Sequence, residues 1–568
     1  MMHTLRISAL ALALAAGTAL GQKPQLVIGP GSGGANFRVP YHQGFHRTLS
    51  KDTIYVLTGW YFVDSTYSMT IQPGTLILGD SASGGSLIIR RGARLWADGT
   101  VADPIVFTSA RPAGTRVPGQ WGGVVLLGNA PTNKPTTQQV EGGFGTIPNT
   151  DATYGGADPN DTSGVLRYVR IEYAGIAFSQ DNEINGLTLG GVGSGTVLDY
   201  VQVSYANDDD FEFFGGTVNG RHLVSLGQID DTFDNDFGYA GKIQFAFAHR
   251  DRNYYDASAS GSSNGFESDN EGSSPYSATP RTRPQFCNVT FVGPMSDTTA
   301  GSVNPKWDHL AMIRRASELS IFNSVLMAWP AGIQLRDTLT QRAAIDGRLR
   351  ISHTSIQAPR NVLTLGSSPN TGNIPGFDVV SWFTTGTGNL GATPRAPQDL
   401  GLVNPFPLDN SVDPRPAPGS EPATAGTDYT GLDPFFTPVS YRGAFDPAVP
   451  MSSQWTAGWT NFNPQTTTYL TSVEAIDNSA PVTFELAQNY PNPFNPTTTI
   501  RFSIVNAGMA TLVVYNPIGQ EVATLVRGQL PAGTFEATFD AAGLSSGLYL
   551  YRLSVGGTQI TRKMILLK

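Results

Sequence analysis

Apolar residues along this chain recur at alternate positions in short runs, and Gly, Asn, Asp or Pro interrupts each run. "SMTIQPGTLILG", "GSLIIRRGARLWADGT", "PIVFTSA" and "QWGGVVLLGNAP" are of this kind. The pattern predicts short β-strands joined by turns. Two runs nearly repeat: "VLRYVRIEYAG" from Val165 and "VLDYVQVSYAN" from Val197 place Tyr168 over Tyr200, Ile171 over Val203 and Tyr173 over Tyr205. The same spacing returns at Phe286, Val289 and Phe291, and again at Phe322, Val325 and Met327. Degenerate repetition with variable loops is what a stacked solenoid needs, because one coil cannot bury its apolar side alone. The fold expected is all-β: a right-handed parallel β-helix followed by a small Ig-like β-sandwich. A β-propeller or β-sandwich body is the alternative, but the repeats lack a regular blade length.

One stretch departs from the low charge of the rest. "NDDDFEFFGG" (Asn207–Gly216) and "IDDTFDNDFG" align with Phe211 over Phe233, an offset of 22 residues that suits one coil. Asp208 then stacks on Asp230, Asp209 on Asp231 and Glu212 on Asp234, while "NGFESDNEG" puts Phe266, Glu267 and Asp269 in the same phase. The register predicts a phenylalanine ladder inside the solenoid and a carboxylate ladder beside it. Neighbouring strands lie about 4.8 Å apart, where two unit charges repel by roughly 3 kcal/mol at an effective dielectric of about 20. A hard cation coordinated by oxygens offsets this, and Ca²⁺ suits carboxylates on loops. The other explanation is turn chemistry, with Asp and Asn capping coil corners and facing solvent. A third is catalysis: a polysaccharide lyase or glycoside hydrolase working through Asp209, Asp231 and Asp234 with Lys242 or Arg250 as base. No catalytic residue is assigned.

Composition narrows the class. The 568 residues exceed one ordinary domain, charged residues make up 14%, and Gly (64) and Pro (39) are abundant, as in turn-rich β structure. A net charge of -9 without a basic run argues against a nucleic-acid partner. "MMHTLR", the apolar "ISALALALAAGTAL" and Ala19 with Gly21 fit an export signal over residues 1–21. No later apolar stretch is long enough for a transmembrane segment. Cys287 is the only cysteine, so no internal disulfide is expected, and its place in "QFCNVTF" suggests a buried thiol. "GPGSGG" from Gly29 and the His42/His46 pair carry no helical pattern, which argues against nucleotide or zinc sites.

From about residue 391 proline becomes frequent, and an aromatic-rich segment with Trp455 and Trp459 follows. The body is therefore bounded at 22–395, and residues 396–479 are set apart as a cap and linker covering the open end of the solenoid. Residues 480–568 form a last domain. There the Asn-Tyr-Pro-Asn-Pro-Phe-Asn-Pro box (Asn489, Tyr490, Pro491, Asn492, Pro493, Phe494, Asn495, Pro496), the Ser-Gly-Leu-Tyr turn with Gly547 and Tyr549, and the end from Lys563 to Lys568 occur in order. This segment resembles the type A C-terminal sorting domain of type IX secretion cargo. The resemblance implies a Bacteroidota-type cell, passage through the periplasm and across the outer membrane, recognition by the type IX machinery, and release or attachment to surface polysaccharide. The body also resembles β-helix proteins found ahead of such domains, a group that supplies no activity to carry over. A secreted or surface-displayed binding or structural module is the expectation.

Overall fold

The computed structural model describes residues 23–30, 40–142, 144, 152–179, 182–258, 261–298, 303–367, 372–469, 473–477, 481, 483–506, 508–530, 532–541 and 544–568. The export signal and most of "GPGSGG" lie outside them. Two compact units divide the chain, Pro24–Thr467 and a second built by Thr468–Lys568.

The first unit is a parallel solenoid. Strands alternate between a 16-stranded sheet, here the long sheet, and an 11-stranded second sheet, and each strand pairs in parallel with its counterpart in the next coil. Several of the expected registers hold, across loops as well as between directly successive coils. Tyr168 sits in step with Tyr200, Ile171 pairs with Val203, and Phe211, Phe233 and Phe266 pair in succession on the second sheet. Their rings stack 5.1 and 5.9 Å apart and are essentially fully buried. Burial of each ring contributes roughly 2–3 kcal/mol.

Two registers differ from expectation. Phe286 continues the row of Leu166 and Leu198, not that of Tyr168 and Tyr200. Phe286 pairs with Ile321, and Cys287 pairs with Phe322. Phe322 therefore leaves the inner core and packs with Cys287 against Phe436. The row occupied by Tyr168 and Tyr200 continues through His222, Phe245, Asn288, Asn323 and His353, each with φ between 50° and 60°. Left-handed backbone at a bulky residue is costly, and here it turns the strand at a corner and resets the alternation. Ring stacking at 4.4, 4.2 and 5.4 Å along Tyr168, Tyr200, His222 and Phe245 helps offset that cost.

The segment set apart by its prolines splits between the units: up to Thr467 it belongs to the solenoid. Rather than covering only an end, residues 428–467 run lengthwise along the outer face of the long sheet, from late coils to early ones. Side-chain amides of Asn323, Gln244 and Gln202 each donate to and accept from this strap's backbone, at Asp428, Thr437 and Asn461. Each amide thus replaces the backbone partner that an outer strand would provide. Trp459 is fully buried edge-on to Tyr168 and Tyr200.

In the second unit two four-stranded antiparallel sheets share one core, with Ile500, Phe502 and Phe535 from one sheet and Leu512, Val514 and Tyr551 from the other. Alternation along Thr497–Ile504 puts every second residue into that core.

Candidate functional site

Strand Phe211–Phe214 shows how the pleat builds the acidic site. Phe211 and Phe213 face the core, so Glu212 must face outward. Parallel pairing sets Glu212 beside Asp234 and Asp234 beside Glu267. Asp208, Asp209, Asp230 and Asp231 lie on the turns entering the same strands.

Those turns carry a second ladder. Asn185 Oδ1 accepts the Asp209 amide at 3.3 Å, Asp209 Oδ1 the Asp231 amide at 2.7 Å, Asp231 Oδ1 the Asn264 amide at 2.5 Å, and Asn264 Oδ1 the His309 amide at 3.1 Å. Capping of coil corners is therefore one job of Asp209 and Asp231. Asn185 and Asn264 do the same job with neutral side chains, so the corner itself does not need the two negative charges.

The carboxylate oxygens converge in three overlapping groups: Asp208, Asp209 and Asp230; Asp209, Glu212 and Asp234; and Asp231, Asp234 and Glu267, each with oxygens within 4.8 Å of one another. Asp209 and Glu212 are only 5% and 3% exposed. Glu212 Oε1, Asp230 Oδ1 and Asp234 Oδ1 are buried and have no hydrogen-bond partner among the described residues. Burial first, and neighbouring carboxylates second, push Asp208, Asp209, Glu212, Asp230, Asp231 and Asp234 well above the usual carboxylate range. Leaving such groups charged and unpaired is costly.

Asp269, expected in the ladder, is not among the converging oxygens. Arg314 Nε donates to it at 2.7 Å, and Arg314 and Arg315 both pair with it. Arg314 also pairs with Glu267, which closes that end of the row. Sequence pattern gave no signal for this arginine, which stands some 45 residues from its partners. Glu141 was also missed: it lies on a covering loop, accepts from Asn185 Nδ2 at 2.9 Å, and is raised to about 7 by burial. Lys242 belongs to the long sheet and pairs with Asp433 at 3.2 Å. Arg250 is buried, donates to the Ile229 and Asp230 carbonyls, and lies over Trp307. Neither is free to act as a base on a substrate.

In the second unit the three sorting motifs meet. Asn489 is buried and donates through Nδ2 to the Pro491 carbonyl and to Thr498 Oγ1 at 3.0 Å. Asn492 Oδ1 accepts the Ile565 amide at 2.9 Å. Phe494 fills the core and exchanges backbone bonds with Ile565 and Leu567, and the Pro496 carbonyl accepts from Ala541. Pro491, Pro493 and Asn495 are exposed, and Tyr490 is 82% exposed. Gly547 pairs with Leu566, and Tyr549 donates to the Ser545 carbonyl at 2.8 Å. The Lys563 carbonyl accepts from Gln488, and the Lys568 amide donates to Ser546 Oγ. No helix among the described residues is long and apolar enough to cross a membrane.

No curated protein and no solved structure matches this chain. Two family models do: a secretion system C-terminal sorting domain over residues 488–567, and a pectate-lyase-like β-helix domain over residues 41–393. The sorting tail directs export to the cell surface or the medium through the type IX secretion machinery. With more than half of its length covered by the second model, the chain belongs to the pectate-lyase-like β-helix family and ends in a secretion sorting domain.

Proposed function

We propose that the solenoid is an extracellular binding or structural module whose acidic trough holds Ca²⁺. Export by a cleaved N-terminal signal, in a Bacteroidota-type cell, with surface polysaccharide as a partner after delivery, completes the proposal. The observation that carries it is the convergence of Asp209, Glu212 and Asp234, with Glu212 buried and its Oε1 lacking a hydrogen-bond partner among the described residues. Oxygens about 2.4 Å from a shared Ca²⁺ stand no more than roughly 4.8 Å from one another, and the converging groups lie within that limit. Mg²⁺ demands a tighter octahedron and keeps its waters. The charge at Asp209 and Asp231, which the corner bonds do not require, is also accounted for.

A lyase or hydrolase reading has less support. Asp209 and Glu212 are too buried for a sugar chain to reach between them, and the two basic candidates are engaged elsewhere. Fold likeness alone does not license an activity. Calorimetric titration of the full chain with Ca²⁺ tests the proposal: heat of binding and a higher melting temperature are expected, and neither appearing would sink it.

A further inference from the structure

Resting on that reading, we infer that the trough holds a row of two divalent cations bridged by Asp209, and that Arg314 serves as a built-in third cation closing the row. The three converging groups are not equivalent. Asp208, Asp209 and Asp230 form the first, and Asp209, Glu212 and Asp234 the second, so Asp209 is common to both. The buried oxygens of Asp230 and Glu212 that lack a partner among the described residues belong to these two groups alone, and that of Asp234 is shared with the third. A single ion cannot serve both, because oxygens on successive coils are already spread over strand spacings of about 4.8 Å, close to the widest separation across one Ca²⁺ shell.

The third group is different. Glu267, one of its three members, is paired with Arg314, which also holds Asp269. A guanidinium presents a fixed fork of donors that matches carboxylates, and here it occupies the place that a third ion would take. Charge is compatible with two ions. Asp208, Asp209, Glu212, Asp230, Asp231 and Asp234 bring six carboxylates to the converging groups, and Arg250 adds one positive charge beside Asp231, Asp230 and Asp209. Two divalent ions and Arg250 offset five of these six charges, and the amides bonded to Asp209 and Asp231 partly stabilise the remainder.

The test is stoichiometry. The full chain is equilibrated with Ca²⁺, dialysed against low free Ca²⁺, and its metal content measured by elemental analysis. Two ions per chain are expected. None would overturn the Ca²⁺ reading itself, whereas one would leave that reading standing and overturn the row. Asp209→Asn keeps the corner bond that Asn185 and Asn264 make as amides, so near-ultraviolet circular dichroism should be unchanged while both ions are released. Retention of two ions would rule out the bridge. Arg314→Met should raise the content to three and Arg314→Lys should leave it at two. Two ions in Arg314→Met would overturn the arginine's role.

Discussion

The long sheet and the second sheet enclose the same core but finish their outer faces differently. On the long sheet the chain returns as a strap, and Gln202, Gln244 and Asn323 satisfy its backbone in both directions. For these three amides the partners are supplied from within the polypeptide. On the second sheet the outward row includes Glu212, Asp234 and Glu267, and among the described residues only Glu267 of these three forms an ion pair. The difference shows that a solenoid fixes the position of an outward residue but not how its polarity is satisfied. A neutral amide row is completed by folding. A carboxylate row needs charge from elsewhere.

This contrast can be broken most directly at the strap. Trp459→Ala should cost about 3–5 kcal/mol, as for a large buried aromatic, read as a lower urea midpoint of the solenoid transition, and by the same amount with Ca²⁺ or with chelator. A Ca²⁺-dependent loss would mean that the two faces are coupled.

Acid should act on the long-sheet side through His249. Burial lowers it to about 4, and its Nδ1 has no partner among the described residues. The unfolded chain therefore binds the proton more readily, so stability is complete above about pH 6.5 and is lost as pH falls towards 4. The linkage amounts to as much as about 3 kcal/mol. His249→Gln should flatten stability measured across that window, and an unchanged slope would assign the acid loss to other groups.

Ca²⁺ at 100 times its dissociation constant should stabilise the solenoid by about 2.7 kcal/mol per site, seen as a rise in melting temperature reversed by chelator. The smallest effect sharpens the comparison from the other side. In chelator, Asp209→Asn should gain about 1 kcal/mol by removing like-charge repulsion, yet lose the response to Ca²⁺. A variant that is destabilised in chelator would show that the charge, and not only the amide-like oxygen, holds the corner.

Much of this was legible in the chain. The offset from Phe211 to Phe233 carries Glu212 onto Asp234 because no insertion lies between them, and both ladders follow. The offset from Phe286 to Phe322 failed by one residue: Phe286 meets Ile321 and Cys287 meets Phe322, because a recurring apolar spacing does not by itself fix the register between coils joined by a long loop. The proline-rich segment reads as irregular, yet Leu402–Asn404 and Asp413–Pro416 pair there as a short antiparallel ribbon, and its composition says nothing of the face it covers. Of the alternatives the sequence leaves open, the corner bonds of turn capping exist, but Asp209 and Asp231 are buried and do not face solvent; cation binding is the proposal that titration tests.

Local pattern by itself determined that this is a β-solenoid with an acidic rung and a sorting tail, because strand period, coil length and the motifs of residues 489–496 and 546–568 are all short-range. Only the tertiary structure decided that Arg314 takes Asp269 out of the ladder, that Glu141 approaches it from a loop, and that three separated sorting motifs meet. Those contacts depend on where coils and loops come to rest, and burial, which raises the carboxylates so far, is a property of the packed chain.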